Sequence, residues 1–172
     1  FTRAADNGNA AAQYQVAVMA SQGAGGPKDE ATAALYYKKS LQTWKKEADD
    51  GDSKAALWAA LVYERKLVPD SSPEKSVPYL LQAAESGNLT AQGLLAFKYR
   101  DGLGVPQDAA KAVEWFEKAA SRKDLGAVME LGIMFRDGKY LPPDREKAFH
   151  WFEKGAEWKD PYSMAALADM LL

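Results

Sequence analysis

The chain contains no cysteine, which excludes disulfides and thiolate metal sites while leaving its compartment open. It has one histidine, His150, so a His-paired nucleophile would have to use that residue alone, and no nucleophile-elbow motif accompanies it. Charge of one sign is also missing. Lys and Arg number 22 against 24 Asp and Glu, the formal net charge is −2, and no run of five basic residues occurs, so nothing gathers nucleic acid or anionic lipid. The longest uncharged apolar run, Ala55 to Tyr63, lies between Lys54 and Glu64 and falls far short of the roughly 20 residues that a membrane-spanning helix needs. What remains is a chain 47% hydrophobic and 27% charged, enough apolar material to build a core and too much for wholesale disorder.

That material is periodic. Ala55, Ala91, Ala127 and Ser163 follow one another at intervals of 36 residues, within the related blocks Gly87-Asn88-Leu89-Thr90-Ala91, Lys123-Asp124-Leu125-Gly126-Ala127 and Lys159-Asp160-Pro161-Tyr162-Ser163. The preceding interval, from Ala12 to Ala55, is 43 residues and so carries seven more, about two helical turns. A fixed period in the mid-thirties marks stacked helical pairs, none able to bury its apolar face alone. The repeats run over about 8–50, 51–86, 87–122 and 123–158, with a partial repeat at 159–172; residues 1–7 read as the tail of a preceding repeat, because Phe1-Thr2-Arg3-Ala4-Ala5 has the spacing of Phe116-Glu117-Lys118-Ala119-Ala120. Both ends therefore read as cut from a longer array, and any signal peptide would lie outside the segment.

In the first helix of each repeat an apolar ladder climbs in steps of four: Ala12, Val16, Ala20; Ala55, Ala59, Tyr63; Ala91, Leu95, Tyr99; Ala127, Leu131, Phe135. Beside its middle rung lies Ala17, Ala60, Ala96, Gly132 or Ala168, small enough to admit a partner helix. Gly23, Gly102 and Gly138 end these helices, with Lys66 in the equivalent place in the second repeat. Asp29, Ser72, Asp108 and Asp144 then cap the second helices, which carry Tyr36, Tyr79, Trp115 and Trp151 as expected core residues. The seven additional residues fall in the second helix of the first repeat, which runs through Leu41 and Trp44 toward Asp49, and Pro78 predicts a kink six residues into its counterpart.

Aligned in this way, the third copy reads Ala91-Gln92, Leu95, Ala96, Tyr99, Gly102-Leu103-Gly104-Val105, Asp108, Lys111-Ala112, Trp115-Phe116, Lys118-Ala119-Ala120, and closely resembles the Sel1-like repeat. The fourth copy departs at Lys123 and Tyr140, which replace glycines, and the second is weak between Lys66 and Ser72. The resemblance implies an all-α fold, a right-handed α/α superhelical solenoid of about four to five repeats similar to tetratricopeptide arrays. It implies a non-enzymatic scaffold or adaptor for a protein partner, without cofactor or metal. An immunity protein that neutralises a secreted toxin is the alternative within that class, and by the same resemblance the bacterial periplasm or cell envelope is favoured over the cytoplasm.

The chemical alternatives are short matches. Ser72-Pro73-Glu74-Lys75 has the S-x-x-K form of penicillin-binding enzymes, but the partner motifs are missing and helix capping accounts for Ser72. Asp49-Asp50-Gly51-Asp52 lacks the ligand spacing and terminal Glu of a calcium loop, so a helix end followed by a cap explains it. Gly102-Leu103-Gly104 follows a helix, whereas phosphate-cradling loops follow a strand.

In paired-helix solenoids the first helices line the concave wall, so side chains outside the ladder face the groove. Positions three and seven of each ladder hold Tyr14 and Val18, Leu57 and Leu61, Gly93 and Phe97, Met129 and Ile133, then Ala165 and Asp169, with Arg65, Arg100 and Arg136 along one edge. An apolar stripe with an arginine border suits a protein partner. The same stripe is equally consistent with burial between adjacent first helices. Trp158, an aromatic where sister repeats have polar residues, is either an extra contact or a local cap.

Overall fold

A computed structural model describes residues Thr2–Leu171; Phe1, aligned above with Phe116, and Leu172 lie outside the described residues. The described chain is helical between short connections and contains no strand. It divides into two compact units, 1–86 and 87–172. The first holds α1 (Thr2–Asp6), α2 (Ala10–Gln22), α3 (Glu30–Asp49), α4 (Ser53–Glu64) and α5 (Pro73–Glu85). The second holds α6 (Leu89–Asp101), α7 (Ala109–Ala120), α8 (Leu125–Asp137), α9 (Arg145–Glu157) and α10 (Pro161–Leu171). Within each unit every helix packs on the next in sequence, so each unit is a stack of antiparallel helical pairs.

Capping decides where the helices begin. Asn9, Asp52, Asn88 and Asp124 hold extended backbone, and their side chains accept hydrogen bonds from the amides of Ala12, Ala55, Ala91 and Ala127, the small residues that carry the period. Just before these caps the chain turns through a left-handed residue: Gly8, Gly51 and Gly87 in three copies, but Lys123 (φ 64°) and Lys159 (φ 63°) in the others. The turn is therefore kept where the glycine is lost, at the steric cost of a Cβ in that region. Lys66, at the position of the helix-ending glycines, likewise has φ 53°. Tyr140 does not copy Gly104 (φ 78°), so the loop after α8 differs from that after α6.

Asp29, Asp108 and Asp144 cap the second helices through the amides of Thr32, Lys111 and Lys147. Their own amides donate back to the carbonyls of Ala20, Tyr99 and Phe135 at 3.0, 2.8 and 2.8 Å, tying each connection to the top of the ladder. The second repeat is the exception. Ser72 occupies the capping position with extended backbone but makes no side-chain capping bond, and Pro73 at the first helical position fixes the entry instead. The sequence-based assignment of Ser72 as a side-chain cap is thus corrected. Helix α5 also stays unbroken through Pro78, whose ring is exposed.

The core follows the ladders. Ala59, Leu95 and Leu131 are fully buried beside Ala60, Ala96 and Gly132, and against the last of these lies the Phe152 ring, which a Cβ at that position would overlap. Ala168, in contrast, is exposed. Trp115 and Trp151 are buried as expected, but Tyr36 and Tyr79 are only half-buried, which corrects their assignment to the core. The largest fully buried side chain of α5, α7 and α9 is the residue one place later, Leu80, Phe116 and Phe152, and Tyr37 at that place in the first repeat is also buried. One position along a helix turns the side chain by about 100°, enough to exchange half-burial for full burial.

Helix α3 contains 20 residues against 12 or 13 in α5, α7 and α9, so it absorbs the seven additional residues. Seven residues fall within about 20° of two whole turns, so the insertion keeps its phase and duplicates the buried position. Tyr37 and Trp44 both occupy it, and both are buried.

Candidate functional site: the stripe on the first helices

The residues at positions three and seven are neither free side chains nor sealed core. Tyr14, Val18, Leu57, Leu61, Phe97, Met129 and Ile133 are all half-buried, while Ala165 and Asp169 are exposed. Tyr14 and Phe97 pack against rings of the second helices.

In the 1–86 unit the stripe centres on Tyr14. Its ring lies 5.5 Å from Tyr37, edge-on, and 5.6 Å from both Trp44 and Trp58, and Trp44 and Trp58 stack at 5.3 Å with 15° between planes. Trp44 is 4% exposed but Trp58 is 39% exposed, so the stack runs from the core to the surface. Arg65 donates a 2.9 Å hydrogen bond to the Tyr14 hydroxyl and is itself exposed. Sequence reasoning missed Trp58, which sits one residue off the expected stripe. It also treated Trp44 only as part of a lengthened helix. The signal available was the phase of the seven-residue insertion, which aligns Trp44 with the position of Leu80.

In the 87–172 unit Phe97 meets Phe116 edge-on at 5.1 Å. The Arg100 guanidinium lies 4.7 Å from the Phe97 ring and 5.3 Å from that of Tyr140, and it bonds Asp101 at 2.8 Å and Glu130 at 2.7 Å. Its hydrogen bond to Asp101 raises the Arg100 pKa and holds the Asp101 carboxyl below the usual carboxylate range. Arg100 is therefore committed to contacts within its own unit. Arg136, bonded to Asp137 at 2.6 Å, remains exposed at the stripe's edge. Trp158 ends α9 half-buried, with the Lys154 ammonium 6.0 Å from its ring.

The residues weighed for chemistry are engaged elsewhere. Lys75 pairs with Asp70, and His150 packs edge-on against Trp151 at 5.3 Å on an exposed face. Asp50 and Gly51 end α3 in a turn before the Asp52 cap. Among the described residues no group of three or more His, Asp or Glu could hold a metal ion, and no helix is long and apolar enough to cross a membrane.

Stacked helical pairs with an accessible apolar stripe define an α/α repeat protein. The Sel1 repeat profile matches residues 10–42, 54–88, 90–124 and 126–157, which is most of the chain, and the chain belongs to the Sel1 repeat family. Sel1 repeats generally mediate protein–protein interaction, and the family is typically a non-enzymatic scaffold. No curated protein matches the chain. Among solved structures it is similar to a Sel1 repeat protein from Oxalobacter formigenes, at 25% identity and a TM-score of 0.72 over 95% of this chain and 64% of that one. It is also similar in fold to a protective antigen of uropathogenic Escherichia coli that displays an SLR fold, at 24% identity and 0.70 over 98% of this chain and 42% of that one. Helicobacter pylori cysteine rich protein B aligns at 22% identity and 0.57, over 81% of this chain and all of that one. The chain thus spans less than two thirds of the length of the first two, and it adopts the fold of a protein named for its cysteines while having none.

Proposed function

We propose that this chain is a non-enzymatic scaffold that docks a partner protein on the exposed faces of its first helices. The observation that carries this reading is the patch in the 1–86 unit, where Trp58, 39% exposed, stands beside Tyr14, Leu57 and Leu61, with Arg65 bonded to the Tyr14 hydroxyl. Aromatic rings backed by a rigid core, with an arginine at the border, are the residues that dominate interface energetics. The rings are already stacked, so little side-chain entropy is lost when a partner covers them. In the 87–172 unit Phe97, Met129 and Ile133 continue the same type of surface, with Arg136 at its edge.

The test is an affinity series on a partner captured from the native host. Trp58→Ala and Leu61→Ala should each weaken binding by about 2 kcal/mol, roughly 30-fold. Glu114→Ala and Glu153→Ala, exposed on the second helices, should leave it unchanged. A partner whose affinity answers to the glutamates, or to Trp158, and not to Trp58 or Leu61 would overturn the proposal.

A further inference from the structure

The 1–86 unit also contains a cleft of about 310 Å³ where the lengthened α3 meets the connection between α4 and α5. Lys38, Leu41 and Gln42 of its lining lie in the lengthened part of α3. Lys38, Leu41 and Lys45 stand at i, i+3 and i+7 on one face of α3, opposite Tyr63, Val68 and Asp70. Leu41, Val68 and the Tyr63 ring are buried and form the floor; Lys38 is exposed, and Lys45 is half-buried at the rim, hydrogen-bonded to the Tyr63 and Tyr79 hydroxyls.

The charge of the cleft is one-sided. Among the described ion pairs neither Lys38 nor Lys45 has a carboxylate partner, whereas the one acid of the lining, Asp70, is paired with Lys75. The oxygens of Tyr63 and then Tyr79 favour the charged form of Lys45 and raise its pKa above that of an ordinary lysine. A concave apolar surface with a few convergent polar groups is the usual form of a small-ligand site, and its volume lies at the lower end of that range.

We propose that this cleft binds a hydrophobic carboxylate, with an apolar group of about leucine size against Leu41, Tyr63 and Val68 and its carboxylate between Lys38 and Lys45. The same chemistry is carried by a free small acid and by the last residue of a peptide. The cleft is lined by none of the stripe residues, so it stands or falls separately from the docking face.

Calorimetric titration of the whole chain with N-acetyl-leucine, N-acetyl-leucine amide and a pentapeptide ending in free-acid leucine tests it. The acid should bind at least about tenfold more tightly than the amide, because only the acid forms charge-assisted bonds to the ammonium groups. Lys38→Met and Lys45→Met should each remove most of that preference. Lys38 is exposed, so its variant separates loss of charge from loss of fold. A pentapeptide that binds about tenfold more tightly than N-acetyl-leucine assigns the site to a peptide terminus, and equal affinities assign it to a small acid. Equal binding of acid and amide, no binding of any probe, or an acid preference that survives both lysine variants would overturn the proposal.

Discussion

Three lysines adopt a backbone conformation that sister repeats give to glycine: Lys66, Lys123 and Lys159, at φ 53°, 64° and 63°. A left-handed conformation costs a residue with a Cβ about 1–2 kcal/mol, partly offset because glycine loses more freedom on folding. Lys66→Gly, Lys123→Gly and Lys159→Gly should therefore each stabilise the chain by up to about 1 kcal/mol, read as a rise in melting temperature; a fall at all three would mean the lysine side chains hold these turns. Ser72 offers a second residue-scale test. It lacks the side-chain bond that three aspartates make at its position, so Ser72→Asp should add stability of about 1 kcal/mol, while Ser72→Ala should cost little. Asp101 offers a third. Its carboxyl titrates below the ordinary value of 3.8 when folded because Arg100 bonds its charged form, so the stability it contributes is present above that value and is lost as pH falls below it. Asp101→Asn should flatten the acid limb of the stability curve in that range, and an unchanged limb would show that the pair contributes nothing to it.

At the scale of the element, α3 sets this chain apart from a uniform array. Two additional turns keep the phase, so Tyr37 and Trp44 both reach Tyr14, and the same turns bring Lys45 alongside Tyr63. Deleting the seven residues 38–44 should leave a helical protein, because Tyr37 then takes the place of Trp44 in front of Lys45. Deleting five, 38–42, rotates the remainder of the helix by about 140° and should abolish cooperative melting of the 1–86 unit. Equal damage from both deletions would show that phase is not what the insertion preserves. In the other unit Phe152 fills the space that Gly132 leaves open. Phe152→Ala should cost about 3–5 kcal/mol and lower hydrogen-exchange protection in α8 as well as α9, since the ring packs between the two helices of that pair.

At the scale of the molecule, stability is spread over helical pairs, and three of them, all but the pair α4 and α5, are closed by a bond from the second helix's aspartate cap to the first helix's last turn. Such an array leaves loops, caps and outer faces free to vary while the ladders persist, which suits a protein that presents a surface. The far-ultraviolet circular dichroism spectrum should be that of helices alone; appreciable strand signal would contradict the fold.

Much of this was readable from one chain because a solenoid is local. The ladders and the caps Asp29, Asp108 and Asp144 are contacts between residues a few positions apart, and the repeat displays each of them several times. The sequence alone therefore determined the class of fold, the pairing of helices and the placement of the seven additional residues in α3. Tertiary structure decided what depends on distance across helices. It placed Phe116 and Phe152, one residue past the tryptophans, in the deepest position, because burial turns on a rotation of about 100° that a repeating aromatic pair does not reveal. It drew Arg100 into bonds with Asp101 and Glu130, left Arg65 and Arg136 exposed, and carried Trp58 to the surface of a four-ring cluster. Apart from the adjacent Asp101, the partners in those contacts lie 14 to 51 positions away, as Trp44 does from Trp58 and Arg65 from Tyr14, and no local pattern encodes their meeting.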